Sequence, residues 1–313
     1  MLTNSESASA SARLTAGLRY SYDKKDFDGS NSTVIGGTRA SFQPYSGERS
    51  WNRVDWRAAF EYNLSLDSLL YGSVQTGYNQ GGFSTTPLAP TDPRAATFDP
   101  EKVLAYTVGS KNKFLNNHAV VNAEAFYYKY DNYQVSARNL ITAQNQVFNA
   151  QKAQIYGLDL ATELLLGDDD KLLFDGSYLN AKATRLVLPV APFANFSGYD
   201  LPFAPRVSAR TSVQHSFHLG GKGTVEAEAS YRWIAGMWGV YNHLKGSFIP
   251  SHGFVDAAIT YRPPLQRWAI SLWGRNLGNT FTYQLINGNA IPGPGAGFPD
   301  APLTYGVRIT AAF

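Results

Sequence analysis

The residues able to do chemistry are few and poorly grouped for it. Among 313 residues there is no cysteine, so neither a disulfide framework nor a thiolate metal site is available. The five histidines are His118, His215, His218, His243 and His252. They lack zinc-binding spacing, and His215 and His218 fall on opposite faces of one alternating segment. His243 and His252 share a long connection with Tyr241, where a haem or metal-chelate contact is conceivable. Asp168-Asp169-Asp170 supplies carboxylates but not the six to eight oxygens of a calcium loop, and reads as a solvated turn. Gly81-Gly82-Phe83 has no helix after it, so it reads as a bend and not as a phosphate cradle. No Ser-His-Asp or paired-carboxylate spacing stands out. The chain is therefore expected not to be an enzyme and to need no cofactor and no resident metal. What remains is a set of rings in the connections: Phe83, Phe98, Phe193, Phe196, Tyr199, Trp238, Tyr241 and Phe248. Rings on loops can grip sugars, siderophores or other amphipathic molecules by stacking, or can pack on one another. Phe83, Phe193, Phe196, Tyr199, Trp238 and Tyr241 are the candidate ligand contacts.

The elements that must position these rings are strands. In 13–23, Leu14, Ala16, Leu18, Tyr20 and Tyr22 alternate with Arg13, Thr15, Gly17, Arg19 and Ser21. Val225, Ala227, Ala229, Tyr231 and Trp233 alternate with Thr224, Glu226, Glu228, Ser230 and Arg232. A period of two is the signature of a strand with one apolar face. About twelve such segments are expected, near 12–22, 51–63, 68–78, 101–113, 118–130, 152–166, 171–186, 204–218, 223–237, 253–262, 267–282 and 303–313. Short polar turns near 65–67, 115–117, 167–170, 219–222 and 263–266 alternate with long connections near 23–50, 79–100, 131–151, 187–203, 238–252 and 284–302. An up-and-down sheet places alternate connections on opposite edges, so one edge is trimmed and the other elaborated. Outer-membrane β-barrels have that asymmetry.

Composition is compatible. Aromatics are 14%, with 19 Tyr and 18 Phe, and they gather near strand ends, as at Tyr127, Tyr128 and Tyr130. Such rings suit an interface between apolar and wet layers. No run of about 18 apolar residues exists, so no helix is expected to cross a membrane, and barrel strands remain open. A formal charge of +3 with scattered Lys and Arg is no nucleic-acid signature. Residues 1–11 are expected to be a disordered start and not a signal peptide, since they lack a basic and an apolar region.

Specific words then carry more than the pattern. Tyr71-Gly72-Ser73-Val74-Gln75-Thr76-Gly77-Tyr78-Asn79-Gln80-Gly81-Gly82-Phe83 resembles a strand and loop of TonB-dependent receptors. So do Phe98-Asp99-Pro100-Glu101, Tyr106 to Lys111 (with Thr107 where the family often has Glu), Asn122 to Gln134, Asn149-Ala150, and Ile155 to Asp159. Leu201 to Arg206, Leu272 to Asn279 and the closing Tyr305 to Phe313 complete the series in order. The resemblance covers roughly 12–313 and falls on the C-terminal part of the family's barrel. It implies an all-β, antiparallel up-and-down transmembrane β-barrel, here about twelve strands of a cylinder of about 22, hence a partial or open barrel. The family's plug domain and TonB box are not found, so the simplest expectation is a partial chain.

The implied function is an outer-membrane, ligand-gated receptor that takes up a scarce small nutrient (iron-siderophore, haem, vitamin or glycan). TonB would act only through the missing plug and TonB box. Long loops would be extracellular and both termini periplasmic. Tyr305, Val307, Ile309 and the terminal Phe313 resemble the signal read by the barrel-assembly machinery. The other expected partner is outer-membrane lipid. Two alternatives remain: a complete passive twelve-stranded channel, which requires a sealed ring between the first and last strands, and a soluble β-rich binding protein.

Overall fold

The computed structural model describes residues 11–35, 38–83, 97–138, 145–188, 194–265, 267–287 and 296–311. Twelve strands form one antiparallel sheet in sequence order: β1 (Ser11–Ile35), β2 (Thr38–Ser65), β3 (Ser68–Asn79), β4 (Glu101–Phe114), β5 (Ala119–Arg138), β6 (Asn145–Leu166), β7 (Asp170–Arg185), β8 (Val207–His218), β9 (Thr224–Ile234), β10 (His252–Arg262), β11 (Trp268–Arg275) and β12 (Thr304–Ala311). Each neighbour is the next in sequence. Among the described residues β1 and β12 each pair on one side only, so the sheet is open and does not close into the sealed ring a small channel requires.

Register lines up the apolar face across the whole sheet. One row runs Leu14, Phe60, Gly72, Val108, Ala125, Leu158, Tyr178 and Val207 across β1 to β8. Another runs Ala227, Ile259, Leu272 and Val307 across β9 to β12. These side chains are largely uncovered: Leu14 and Leu18 are each 83% exposed, and Val307 is 66% exposed. A sheet whose apolar face stays bare has the wrong face outward for water and the right one for lipid. This face is termed outer here. The inner face carries Arg19, Gln75, Glu124, Asp159, Asp175, Arg210, Arg232, Asp256 and Arg308, so it is the wet one.

Five short turns occupy one edge. Leu66-Asp67 joins β2 to β3, and Leu115, Asn116 and Asn117 all adopt positive φ (52°, 54°, 69°) to reverse the chain in a minimal span. Asn tolerates that region at small cost. The other edge is larger than the alternation foretells. Residues 23–35 and 38–50 are expected to be loop, yet they continue β1 and β2 as a paired ribbon out to Ile35 facing Thr38. β5 and β6 likewise extend to Arg138 facing Asn145. Four further connections carry two-stranded hairpins of their own: Gly82–Phe83 with Thr97–Phe98, Val187–Leu188 with Ala194–Asn195, Met237–Trp238 with Phe248–Ile249, and Tyr283–Asn287 with Ala296–Pro299. In the opposite sense, the segment expected as strand over 267–282 stops at Arg275. The largest buried apolar cluster is also at this edge, where Val135, Phe148, Ala153, Ala181, Ala183, Leu186 and Leu201 meet.

Candidate ligand-binding edge

The motif words of the sequence converge on one hydrogen-bonded tie. Asn79 Nδ2 donates to Gln134 Oε1 (3.0 Å), and Gln134 Nε2 donates to the carbonyls of Gln80 (2.9 Å) and Asp99 (3.2 Å). The Gln134 backbone N–H donates to Glu101 Oε2 (2.7 Å). Asn149 accepts from the Asp99 N–H (2.7 Å) and donates to the carbonyls of Asp99 (2.8 Å) and Asn132 (2.9 Å). Amide side chains suit this role, because each offers two donors and an acceptor to backbone that has left the ladder. Burial raises the Glu101 carboxyl above its ordinary range, and the Gln134 N–H opposes that shift in part. Glu101 lies beyond the outer apolar rows, beside the exposed Lys102.

The same tie reaches the β1–β2 ribbon. Lys25 Nζ donates to the Gly81 carbonyl (2.8 Å), Arg49 pairs with Asp99 (3.5 Å), and Phe27 stacks on Phe83 at 5.4 Å. Gly81 is required by close approach: a Cβ there would stand 2.6 Å from the Phe98 carbonyl and 2.7 Å from the Trp51 ring. Phe83 is thus half-buried against Phe27, apart from the other candidate rings.

Four candidates do come together. Phe196 meets Tyr199 (5.7 Å) and Tyr241 (5.3 Å) edge to face. His243 lies between Tyr199 (4.5 Å) and Trp238 (4.5 Å, interplanar angle 6°), and Phe248 closes on Trp238 at 4.9 Å. The His243 Nε2 is 2.9 Å from the Asp200 carbonyl, and His243 itself holds φ 50°. Asp200 in turn takes Arg206 (3.3 Å) and Lys182 (4.0 Å). Phe196 and Tyr241 rest on the buried cluster, and burial raises the Tyr241 phenol. Phe193 lies outside the described residues. His252 faces Pro250 and Thr282 and makes its own ring contact with Phe254, so it does not join His243. Among the described residues no group of three or more His, Asp or Glu could hold a metal ion. The sequence pointed to His243 as a neighbour of Tyr241 and His252 in one connection; its place between Tyr199 and Trp238 depends on how two connections meet and left no trace in spacing.

On the inner wall the outstanding pair is the Tyr71 hydroxyl donating to Glu124 Oε2 at 2.7 Å. Beside it, Arg210 directly faces Arg232 across β8 and β9. Arg232 sits over the Phe254 ring at 4.8 Å and Arg275 over the Trp273 ring at 5.6 Å, so both guanidinium groups rest on aromatic faces of the wall. Tyr71, Glu124, Arg210 and Arg232, together with Asn122, Asp159, Asp175 and Ser208, line a hollow that runs from β3 to β9. Tyr305, Val307 and Ile309 project from the outer face of the edge strand β12, strongly exposed, and Phe313 lies outside the described residues. At the short-turn edge, His215 hydrogen-bonds Asp170 (2.7 Å) and His218 Nε2 stands 2.8 Å from Asp169 Oδ1, so the acidic turn lies against the end of β8.

Known proteins fit this geometry. The chain is similar over 95% of its length to the ferric yersiniabactin uptake receptor FyuA from Yersinia pestis, with a TM-score of 0.77 and 18% identity. It is similar over 96% of its length to the copper transporter OprC (TM-score 0.75, 15% identity) and to the ferric citrate transporter FecA in its unliganded form (TM-score 0.67, 14% identity). It spans 42%, 46% and 43% of those chains, less than half of each. At these identities the likeness is one of fold. Residues 8–277 match the family described as TonB dependent receptor-like, beta-barrel. The open twelve-stranded wall and its motif-built edge are those of a partial barrel, and the chain belongs to the TonB-dependent receptor β-barrel family.

Proposed function

We propose that this chain is the C-terminal part of the barrel of an outer-membrane receptor that takes up a scarce small nutrient, with its long connections outside the cell and both termini in the periplasm. The observation that carries the reading is the edge tie: family motif residues from β3, β4, β5 and β6 are used to hold long connections in place. A scaffold that spends its specific side chains on loop placement is one whose loops do the recognising. Phe196, Tyr199, Trp238 and Tyr241 are the rings offered to the ligand, with Phe193 on the same connection as Phe196 and Phe83 on the 79–100 connection. Ferric chelates are favoured within the nutrient classes, because the similar solved structures include ferric yersiniabactin and ferric citrate receptors. TonB energy would reach the ligand through a plug and TonB box, and Tyr305, Val307, Ile309 and Phe313 would present the assembly signal.

Uptake is tested in the native host. Deletion of the coding region should abolish growth on one ferric siderophore, haem, cobalamin or oligosaccharide supplied as sole source. Removal of TonB should produce the same defect. Unchanged growth on all four classes overturns the transport reading. Orientation is tested separately, using the absence of native cysteine. A membrane-impermeant maleimide on whole cells should label Ser251→Cys in a long connection and leave Asp168→Cys in a short turn unlabelled. The reverse pattern overturns the assigned orientation.

A further inference from the structure

Beyond the apolar rows, the outer face of the middle of the sheet turns cationic. The last row before the change carries Tyr106, Tyr127 and Tyr156 on β4, β5 and β6, with ring centroids 6.4 Å and 6.2 Å apart. The next outer row toward the long-connection edge is Leu104, Lys129, Gln154 and Lys182 on β4 to β7. The row after that is Lys102, Asp131, Lys152 and Arg185. Five cations and one carboxylate thus occupy two registered rows of four strands, a patch about 15 Å wide at the ordinary strand spacing.

The charges are not neutralised within the wall. Among the described residues no carboxylate lies within 4.0 Å of Lys102, Lys129, Lys152 or Arg185, and Lys182 reaches Asp200 only at 4.0 Å while Arg206 holds it at 3.3 Å. The Lys129 ammonium instead sits over the Tyr127 ring at 5.6 Å. The contrast with β1 and β2 is direct: there the outer cation Lys24 is matched by Glu48 (3.0 Å) and Asp26 (4.0 Å). Below Lys102 and Lys129, and extending from β5 toward β1, the outer face is grooved. Gly72 and Ala125 form a floor between Phe60, Val108, Tyr106 and Tyr127. Cations above a row of tyrosines above an apolar groove repeat, layer by layer, the phosphate, interface and acyl regions of a lipid.

We propose that the outer patch of Lys102, Lys129, Lys152, Lys182 and Arg185 binds the phosphate groups of an anionic lipid headgroup, whose acyl chains lie on the groove beneath. The proposal rests on the outer face being lipid-facing and is independent of which nutrient is transported. The patch occupies central strands, away from the open edges β1 and β12, so it can be assayed per chain in any oligomer.

The full chain is extracted from the outer membrane of an expressing host in dodecyl maltoside. Retained lipid is counted by native mass spectrometry while micelles are doped with diphosphoryl lipid A, phosphatidylcholine or inorganic phosphate. A juxtamembrane cation contributes roughly a fivefold factor to such binding. The triple variant K102Q/K129Q/K152Q should therefore hold diphosphoryl lipid A roughly a hundredfold more weakly than wild type, and Lys129→Gln or Lys152→Gln alone about fivefold. Added salt should weaken the wild type more steeply than the triple variant, which keeps only Lys182 and Arg185. The single variants keep the test valid if the triple variant does not insert. Equal affinity of wild type and the single variants for diphosphoryl lipid A overturns the proposal. So does equal retention of phosphatidylcholine, or displacement of lipid A by millimolar inorganic phosphate, which would mark a simple anion site. A chain soluble without detergent would defeat the membrane reading as well; one that inserts without headgroup preference defeats this proposal alone.

Discussion

At the residue scale, Asn276 shows how one side chain can end a strand. It is buried, holds φ 50°, and makes four hydrogen bonds: its backbone N–H donates to Asp256 Oδ1 (2.8 Å), its Oδ1 accepts from the Thr280 N–H (2.8 Å), and its Nδ2 donates to the carbonyls of Thr280 and Ala301 (both 3.0 Å). Alternation alone cannot see this, and so it carries the strand on past Arg275. Replacing Asn276 by Ala should remove three bonds, at about 1 kcal/mol each, and add about 1 kcal/mol for an L residue at positive φ. Asn276→Gly should lose the bonds without the backbone term. The ordering wild type, Gly, Ala in the midpoint of thermal loss of β-structure, followed by circular dichroism, checks this, and equal loss for both variants would remove the backbone contribution. Glu101 gives a second expectation at this scale. Its carboxyl is raised by burial, so ionisation disfavours the folded edge. That raised proton affinity stabilises the tie fully below the ordinary carboxylate value and is lost as pH rises through the raised one. Glu101→Gln keeps an acceptor for the Gln134 N–H and removes the charge. It should slow proteolysis of the 79–101 connection at neutral pH relative to wild type, with the difference vanishing in acid. A variant cleaved faster at neutral pH would show that the ionised carboxylate is what holds Gln134.

At the element scale, the strands inside the apolar belt were the legible part of the fold. Lipid on one side and water on the other impose a strict period of two, and all twelve segments read that way are strands. The ribbons outside the belt were not legible, because neither of their faces meets lipid. Lys24, Asp26 and Asp28 on β1 and Glu48 on β2 read as loop, and only cross-strand partners such as Lys24 and Glu48 reveal the pairing. The rings of the candidate edge were legible as a class, but which ring meets which depends on how two connections fold over one another. Their mutual stacking yields a prediction. The clasp of Tyr199, His243 and Trp238 joins the 187–206 connection to the 237–249 connection, reinforced by the Phe203 N–H donating to the Trp238 carbonyl (2.8 Å). Trp238→Ala loses two ring pairs, about 1–3 kcal/mol, and should expose both connections to protease together. Increased cleavage confined to 237–249 would mean the two connections are held independently. Strand packing makes a separate demand at Gly157, where a Cβ would meet the Tyr178 carbonyl and stand 2.7 Å from Phe126 Cζ. Gly157 belongs to the motif word Ile155 to Asp159, and the reason is now visible: the Phe126 ring lies across it.

At the scale of the whole molecule, the governing fact is that a sheet built for lipid has two edges. β1 and β12 each leave one side of their ladder unpaired, and about every second residue of an edge strand presents its N–H and C=O outward. In hydrocarbon each unsatisfied group costs several kcal/mol, so the lipid-crossing parts of the two edges together carry a penalty comparable to the entire stability of a domain. A twelve-stranded ring would remove the penalty by joining β1 to β12, yet the sheet stays open, with the curvature of a wider cylinder shared by FyuA at a TM-score of 0.77. The remaining route is to pair the edges with other strands. In the isolated chain those can only come from further copies, since Leu14, Leu18, Tyr305, Val307 and Ile309 keep both edges in the apolar layer, where water cannot serve as partner. The 313-residue chain purified alone in detergent is therefore expected to run as edge-paired oligomers or aggregate, and to lack the shift in gel mobility on boiling that marks a closed barrel. Supplying the remaining strands of a family barrel in trans should convert it to a heat-modifiable species. A heat-modifiable monomer from the chain alone would show that the strands can re-register into a small ring, and would bring back the passive channel.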